Sequence, residues 1–221
     1  MTTCRPQNST QAQIDELRVD HAKPIVICDV DEVVFHFIAG LEAYLERNAL
    51  WLDPSSFALN GNIKHKSSNE AVPTAELKAL FERFFDQEAH QLQPIDGAAS
   101  ALRDLSRSAN IVMLTNLHDK YRDARVRNLG NHGMPYPVIT NQGPKGPAVR
   151  AIAGQHDENV VFIDDIPNYL QSVYDYHPEA YLIHFTQDER FAKHLPELDF
   201  VSLRTAEWSV AHAHIEKILK A

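Results

Sequence analysis

The stretch PIVICDVDEVVFHF, from Pro24 to Phe37, decides the fold of this chain. Its apolar run Ile25–Cys28 is short and bounded by Pro24 and Asp29, and it reads as a buried parallel strand. The run ends on two aspartates, Asp29 and Asp31. Outward from it, similar runs recur at Ile111–Leu114, Val138–Thr140, Val160–Ile163 and Ala180–Phe185. Helical patterns lie between them, at Ala98–Arg107, Asp119–Leu129, Pro147–Ala153 and Pro167–Tyr174, and Thr205–Leu219 reads as a closing helix. This alternation predicts an α/β fold, a parallel sheet with helices on both faces.

One connection breaks the rhythm. The stretch between Cys28 and Ile111 is far longer than a crossover needs. Within it Leu41–Arg47 and Thr74–Glu88 have helical spacing, and Leu77, Leu80, Phe81, Phe84 and Phe85 form an apolar stripe that reads as core. Trp51–Ser68, with Pro, Asn-Gly and Ser-Ser, reads as loop. The expected organisation is a disordered tail over residues 1–20, a core over 21–37 and 95–221, and a small helical domain inserted over 38–94. Pro94-Ile95-Asp96-Gly97 marks the return to the core.

A formal net charge of −9 argues against a nucleic-acid backbone or an anionic membrane as main partner, since both require a basic surface. Cys4 and Cys28 are the only cysteines, one in the polar N-terminal segment and one in an apolar strand, so a disulfide framework is not expected. With no apolar N-terminal run and no membrane-length segment, the expected location is the cytoplasm.

In open parallel sheets, ligands bind at the carboxyl ends of the strands. Those ends carry Asp29 and Asp31 after the first run, Thr115 and Asn116 after IVML, Lys145 in the loop after PVIT, and Asp164 and Asp165 after VVFI. Each has an ordinary reading as a turn, a helix cap or an exposed loop residue. Together they form one acidic edge with a hydroxyl and an ammonium. Clustered carboxylates repel unless a cation neutralises them, and hard oxygen donors suit Mg²⁺, which shares its shell with substrate phosphate. The chemistry implied is phosphoryl transfer.

ICDVDEVV resembles the first motif of the haloacid dehalogenase superfamily, MLTN its second, Lys145 in PKGPAVRAI its third and FIDDIPN its fourth, all in the family's order. The resemblance implies a Rossmann-like core, an inserted cap, Mg²⁺ and an aspartyl-phosphate mechanism on a small phosphorylated metabolite. Asp29 would be the nucleophile. Asp31 would protonate the leaving group and then activate water. Thr115 and the Asn116 backbone would hold the phosphate, and Lys145 would join nucleophile and phosphate. Asp29, the Asp31 carbonyl and Asp165 would bind the metal, with Asp164 acting nearby or through water. The chain departs from the pattern at Glu32, where many members have Gly, and at Asn168, where they have a further Asp. Asp31 favours phosphatases, since the dehalogenases of the superfamily lack that carboxylate.

Three alternatives stand beside a phosphatase: a phosphomutase or phosphotransferase on the same scaffold, a receiver-like signalling module, and a non-catalytic phosphate-binding protein. His118 follows Thr115-Asn116 and is expected to begin a helix rather than to face the substrate. The basic run Lys64-His65-Lys66 in the insertion reads first as an exposed loop; its functional alternative is a dock for a second anionic group of the substrate.

Overall fold

The computed structural model of the chain describes residues 5–154 and 159–220. In chain order its elements are α1 (Asn8–Asp15), β1 (Ile25–Cys28), α2 (Phe37–Arg47), β2 (Leu50–Leu52), β3 (Ile63–His65), α3 (Thr74–Glu88), α4 (Ala98–Leu105), β4 (Asn110–Thr115), α5 (Arg122–Asn131), β5 (Val138–Thr140), α6 (Gly146–Ala153), β6 (Val160–Asp164), α7 (Pro167–Tyr176), β7 (Tyr181–Phe185), α8 (Glu189–Ala192), β8 (Leu203–Thr205) and α9 (Trp208–Leu219). Among the described residues, the main sheet has the order β5-β4-β1-β6-β7-β8 and every pairing in it is parallel.

β1 is fully buried, as its uniform apolar character requires, and its side chains alternate between the two faces. Val26 and Cys28 join the apolar cluster under α4 and α9, whereas Ile25 and Ile27 join the one under α6 and α7. The chain leaves β1 towards β4 and β5, then returns to its other side at β6. That reversal opens a crevice at the carboxyl ends of β4, β1 and β6. Cys28 is level with Met113 and with Ile163, so the acidic residues after β1 and β6 emerge side by side.

Two expectations are corrected. The N-terminal segment is not a frayed tail throughout: Asn8–Asp15 is a helix whose Ile14 is buried, and the Thr10 hydroxyl donates to the Thr140 carbonyl at 2.9 Å. Its few apolar residues do not reveal this in sequence because polar side chains supply part of the docking, Gln13 bonding Thr140 from the same helix. Residues 1–4 of that tail, Cys4 among them, lie outside the described residues. The stretch Trp51–Ser68 is not all loop. Leu50–Leu52 and Ile63–His65 pair as an antiparallel ribbon, with Leu50, Leu52 and Ile63 turned into the core. Strands this short fall below what periodicity resolves.

The inserted segment therefore comprises α2, the β2–β3 ribbon and α3. It shares an apolar cluster with one face of the sheet, through Leu41, Tyr44, Leu77, Leu80 and Phe84. The α3 stripe is core at Leu77, Leu80 and Phe84, while Phe85 is only partly buried. Trp208 at the start of α9 is fully buried and donates its indole N–H to the Val33 carbonyl at 2.8 Å, fixing the turn that follows β1. No helix of the described residues is long and apolar enough to cross a membrane.

Candidate active site

The turn after β1 is tight. Asp29 N–H still donates to the Ile163 carbonyl at 2.9 Å, so Asp29 is held in line with the sheet. Glu32 then adopts φ 62°, in the left-handed region, and its N–H donates to the Phe35 carbonyl at 2.8 Å. A non-glycine residue is strained there, and the Glu32 side chain supplies a compensating bond. Its carboxylate accepts from the Ile38 N–H at 2.6 Å, in the first turn of α2, where no residue caps the helix from His36. Glu32 thus ties the acidic edge to the inserted segment. Burial pushes the Glu32 carboxyl up to about 7.

Lys145 lies at the start of α6 and is wholly buried. Its Nζ donates to Asp29 Oδ1 at 2.5 Å and to Asp164 Oδ2 at 2.7 Å, so one ammonium bridges two buried carboxylates. The next residue allows this depth. A Cβ on Gly146 would stand 2.2 Å from the Ser172 carbonyl of α7, so only glycine lets the two helices close around the lysine. The Tyr169 ring lies 5.0 Å from Nζ. Burial alone would lower the Lys145 pKa; Asp164 and Asp29 outweigh it and raise it. Burial also pushes Asp164 up to about 7, against the opposing pull of Lys145.

Asp164 uses both oxygens, since Oδ1 accepts from the Ile166 N–H at 2.8 Å. Asp165 differs. Its carboxylate accepts no hydrogen bond among the described residues, and it lines the open cavity. Burial first, and then the neighbouring Asp164 and Asp29, hold its pKa well above the usual range. His184 of β7 donates from Nε2 to the Asp165 carbonyl at 3.1 Å and is itself buried. Asp29, Asp164 and Asp165 each present one oxygen, all within 4.8 Å of one another.

Asp31 has a counter-ion that the motifs do not announce. Arg125 of α5 is fully buried, and its Nη2 donates to Asp31 Oδ1 at 2.6 Å. The guanidinium also lies 5.5 Å from the centre of the Phe35 ring. Burial raises the Asp31 pKa, and Arg125 pulls it back. A signal existed: Arg125, Asn128 and Leu129 share one face of α5 at helical spacing, in line with Tyr121 just before it, and all are buried. A charged residue on such a face requires a buried partner.

Thr115 ends β4, Asn116 follows it, and both line the same cavity as Asp29, Asp31 and Asp165. The Asn116 amide donates to the Gly143 carbonyl and its oxygen accepts from Asn141, each at 2.8 Å, so its side chain ties β4 to the loop that carries Lys145. His118 behaves as a helix-start residue: its Nδ1 accepts from the Lys120 N–H at 3.2 Å. The basic run Lys64-His65-Lys66 does not reach this edge. Lys64 pairs with Asp53 at 2.6 Å and Lys66 pairs with Glu46, and neither lines the cavity. A dock for a second substrate anion is not formed there, because neighbouring acids of the insertion already neutralise both lysines.

No protein-family model and no curated protein matches this chain. Solved structures do. A hydrolase from Deinococcus radiodurans R1, with bound phosphate and sodium, aligns over 90% of this chain and 97% of its own at 14% identity and a TM-score of 0.64. YfnB from Bacillus subtilis, described as a HAD-hydrolase and bound to magnesium, covers 88% and 98% at 14% identity and a TM-score of 0.57. An L-2-haloacid dehalogenase covers 89% and 100% at 10% identity and a TM-score of 0.60. The chain shares the fold of these haloacid dehalogenase-like hydrolases.

In this haloacid dehalogenase fold, all seven residues singled out from the motifs gather at one sheet edge. Asp29, Asp31, Thr115, Asn116 and Asp165 line the cavity, and Lys145 and Asp164 lie behind it. The motifs leave out Arg125, the helix-capping role of Glu32 and the cavity's apolar roof.

Proposed function

We propose that this protein is a Mg²⁺-dependent phosphatase that hydrolyses a small organic phosphate monoester through a phosphoryl group carried on Asp29. The observation that carries this reading is the division of labour between two adjacent carboxylates. Asp29 is bridged to Asp164 by Lys145, while Asp31, two residues on, is held separately by Arg125.

Lys145 neutralises Asp29 and keeps one of its oxygens oriented, leaving the other for attack on phosphorus. As that bond forms and the ester P–O bond breaks, Asp31 gives its proton to the departing alkoxide. Asp31 then takes a proton from water, whose oxygen attacks the phosphorus and displaces Asp29 as a free carboxylate. The raised Asp31 pKa suits a group that must serve as acid and then as base. The Thr115 hydroxyl and the Asn116 N–H, which line the same cavity, would hold the phosphoryl oxygens.

The oxygen donors of Asp29, Asp164 and Asp165 fit Mg²⁺ in kind and in mutual distance. Asp29, Asp165 and the Asp31 carbonyl would hold it, with Asp164 orienting Lys145. Bound there, the ion would offset the carboxylates and polarise a phosphate oxygen.

A dehalogenase shares the fold, but an alkoxide leaving group needs a proton and a halide does not. Asp31 with its dedicated arginine supports the ester. A screen of phosphate monoesters with Mg²⁺, run beside Asp29→Asn and beside chelator-treated protein, tests the reading. Release of inorganic phosphate without an acceptor, lost in both controls, is the expected outcome. Undiminished turnover in the Asp29→Asn protein would end it, and transfer only to an added acceptor alcohol would make the enzyme a phosphotransferase.

A further inference from the structure

The cavity in front of Asp29 has a volume of about 350 Å³, within the range that holds a small organic molecule. Its floor is the acidic edge. Its roof is apolar and comes from two separate parts of the chain. Phe37, Phe57, Leu59 and Phe85 belong to the inserted segment, and Phe191 and Leu195 follow β7. The two parts meet: the Phe57 and Phe191 rings stand 6.5 Å apart, edge to face, and His194 Nε2 bonds the Pro54 carbonyl at 3.0 Å.

Charge at this cavity is one-sided. Its acidic lining residues are Asp29, Asp31, Glu32, Asp165 and Asp188, and no lysine, arginine or histidine lines it among the described residues. Arg190, next to the wall, is already paired, with Glu42 at 2.7 Å and with the lining Asp188 at 2.6 Å. The cations available to the phosphate site, Lys145 and Arg125, are spent on Asp29, Asp164 and Asp31. A leaving group with a second carboxylate or phosphate would find no unpaired cation on the lining and would lose its hydration against phenyl rings. An apolar leaving group would gain by the same burial.

We propose that the substrate is the phosphate monoester of an uncharged, apolar alcohol, whose hydrocarbon or aromatic part fills the roof formed by Phe37, Phe57, Phe85, Phe191 and Leu195. This rests on the phosphatase reading and assigns its leaving-group site. The roof contributes binding that grows with the apolar area covered, and it excludes anionic esters of the same length.

The test uses the Mg²⁺-loaded full chain with ethyl, butyl and hexyl phosphate, and with hexyl phosphate bearing a terminal carboxylate. kcat/KM should rise about fourfold per methylene along the alkyl series, the transfer free energy of one buried methylene expressed as a ratio. The terminal carboxylate should lower it by roughly tenfold or more. Phe191→Ala should flatten the hexyl-to-ethyl ratio, and Leu195→Lys should favour the carboxylate-bearing ester; a general folding defect would lower all esters together and leave these ratios alone. In the Asp29→Asn protein, calorimetry should show hexyl phosphate binding more tightly than ethyl phosphate. Turnover independent of chain length, or a preference for the anionic ester, overturns the inference and leaves the phosphatase reading standing. Turnover of none of these esters overturns the inference, and the phosphatase reading falls with it only if the wider monoester screen also releases no phosphate.

Discussion

Replacing Lys145 by Met tests the electrostatic core of the site most directly. Methionine roughly keeps the length and apolar stem of lysine and removes the ammonium. Asp164 is then left fully buried, beside an Asp29 carboxylate with only 8% of its side chain exposed, and neither has its bridging counter-charge. Breaking a buried ion pair by removing one partner costs about 3–5 kcal/mol. For a chain of this size 1 kcal/mol moves the melting temperature by about 2–4 °C, so the metal-free variant should melt roughly 6–20 °C lower at alkaline pH. The sign of the pH dependence follows from Asp164. Its folded pKa is already raised to about 7 with the lysine present, and it must rise further without it. Below about pH 6 Asp164 is protonated in both folded proteins, and its share of the cost is absent. As pH rises through 7 the wild type ionises Asp164 beside Lys145, while the variant must hold a proton or an unpaired charge. Circular-dichroism melts in chelator at pH 5.5 and pH 8.5 measure this: the deficit should be clearly larger at pH 8.5. An equal deficit at both values would mean that only packing was lost, and the electrostatic account would be wrong. Turnover should fall by about 10²-fold or more, the scale for losing one oriented charge stabiliser.

Arg125→Met should lower kcat by up to about 10²-fold and move the acidic limb of its pH profile upwards, because Asp31 loses the cation that restrains its raised pKa; Arg125→Lys should restore part of both, and an unmoved limb would reduce Arg125 to packing. Glu32→Gln should gain stability relative to wild type as metal-free protein is taken from pH 4.5 to pH 8, by roughly 3 kcal/mol, since a carboxyl raised to about 7 weakens the fold as it ionises. Denaturant titrations at both pH values measure that gain, and a constant difference would contradict it. Changing Lys64 and Lys66 together to Ala should leave kcat and KM within about twofold and cost about 1 kcal/mol or less, because both pairs are partly exposed and remote from the cavity; a raised KM would restore the anion-docking role to this run.

The acidic edge was legible because each of its residues sits next to a strand that announces itself. Ile25–Cys28, Ile111–Leu114 and Val160–Ile163 are apolar runs too short for anything but buried strands, and the polar residues that end them must emerge at one edge of a parallel sheet. The position of Lys145 followed from the loop after Val138–Thr140 in the same way. The helix Asn8–Asp15 was missed because Thr10 and Gln13 dock it through hydrogen bonds to Thr140, which leave no hydrophobic period in the sequence. The ribbon of β2 and β3 was missed because three-residue strands carry almost none.

The sequence by itself therefore determined five of the six strands of the sheet, missing β8, whose Thr205 it assigned to the closing helix; it also determined the order of the edge residues and the chemical character of that edge. These depend on local periodicity and on the rule that strand ends converge. Only the tertiary structure decided which charges neutralise which, and what lines the cavity in front of the acidic edge. Arg125 reaches Asp31 across 94 residues and Lys145 reaches Asp29 across 116, and the roof joins Phe57 to Phe191. Lys64 and Arg125 are both basic residues on regular elements, yet one is neutralised at the surface of the insertion and the other is buried against a carboxylate at the acidic edge. A charge acts through distance and burial, and neither is a property of its position along the chain.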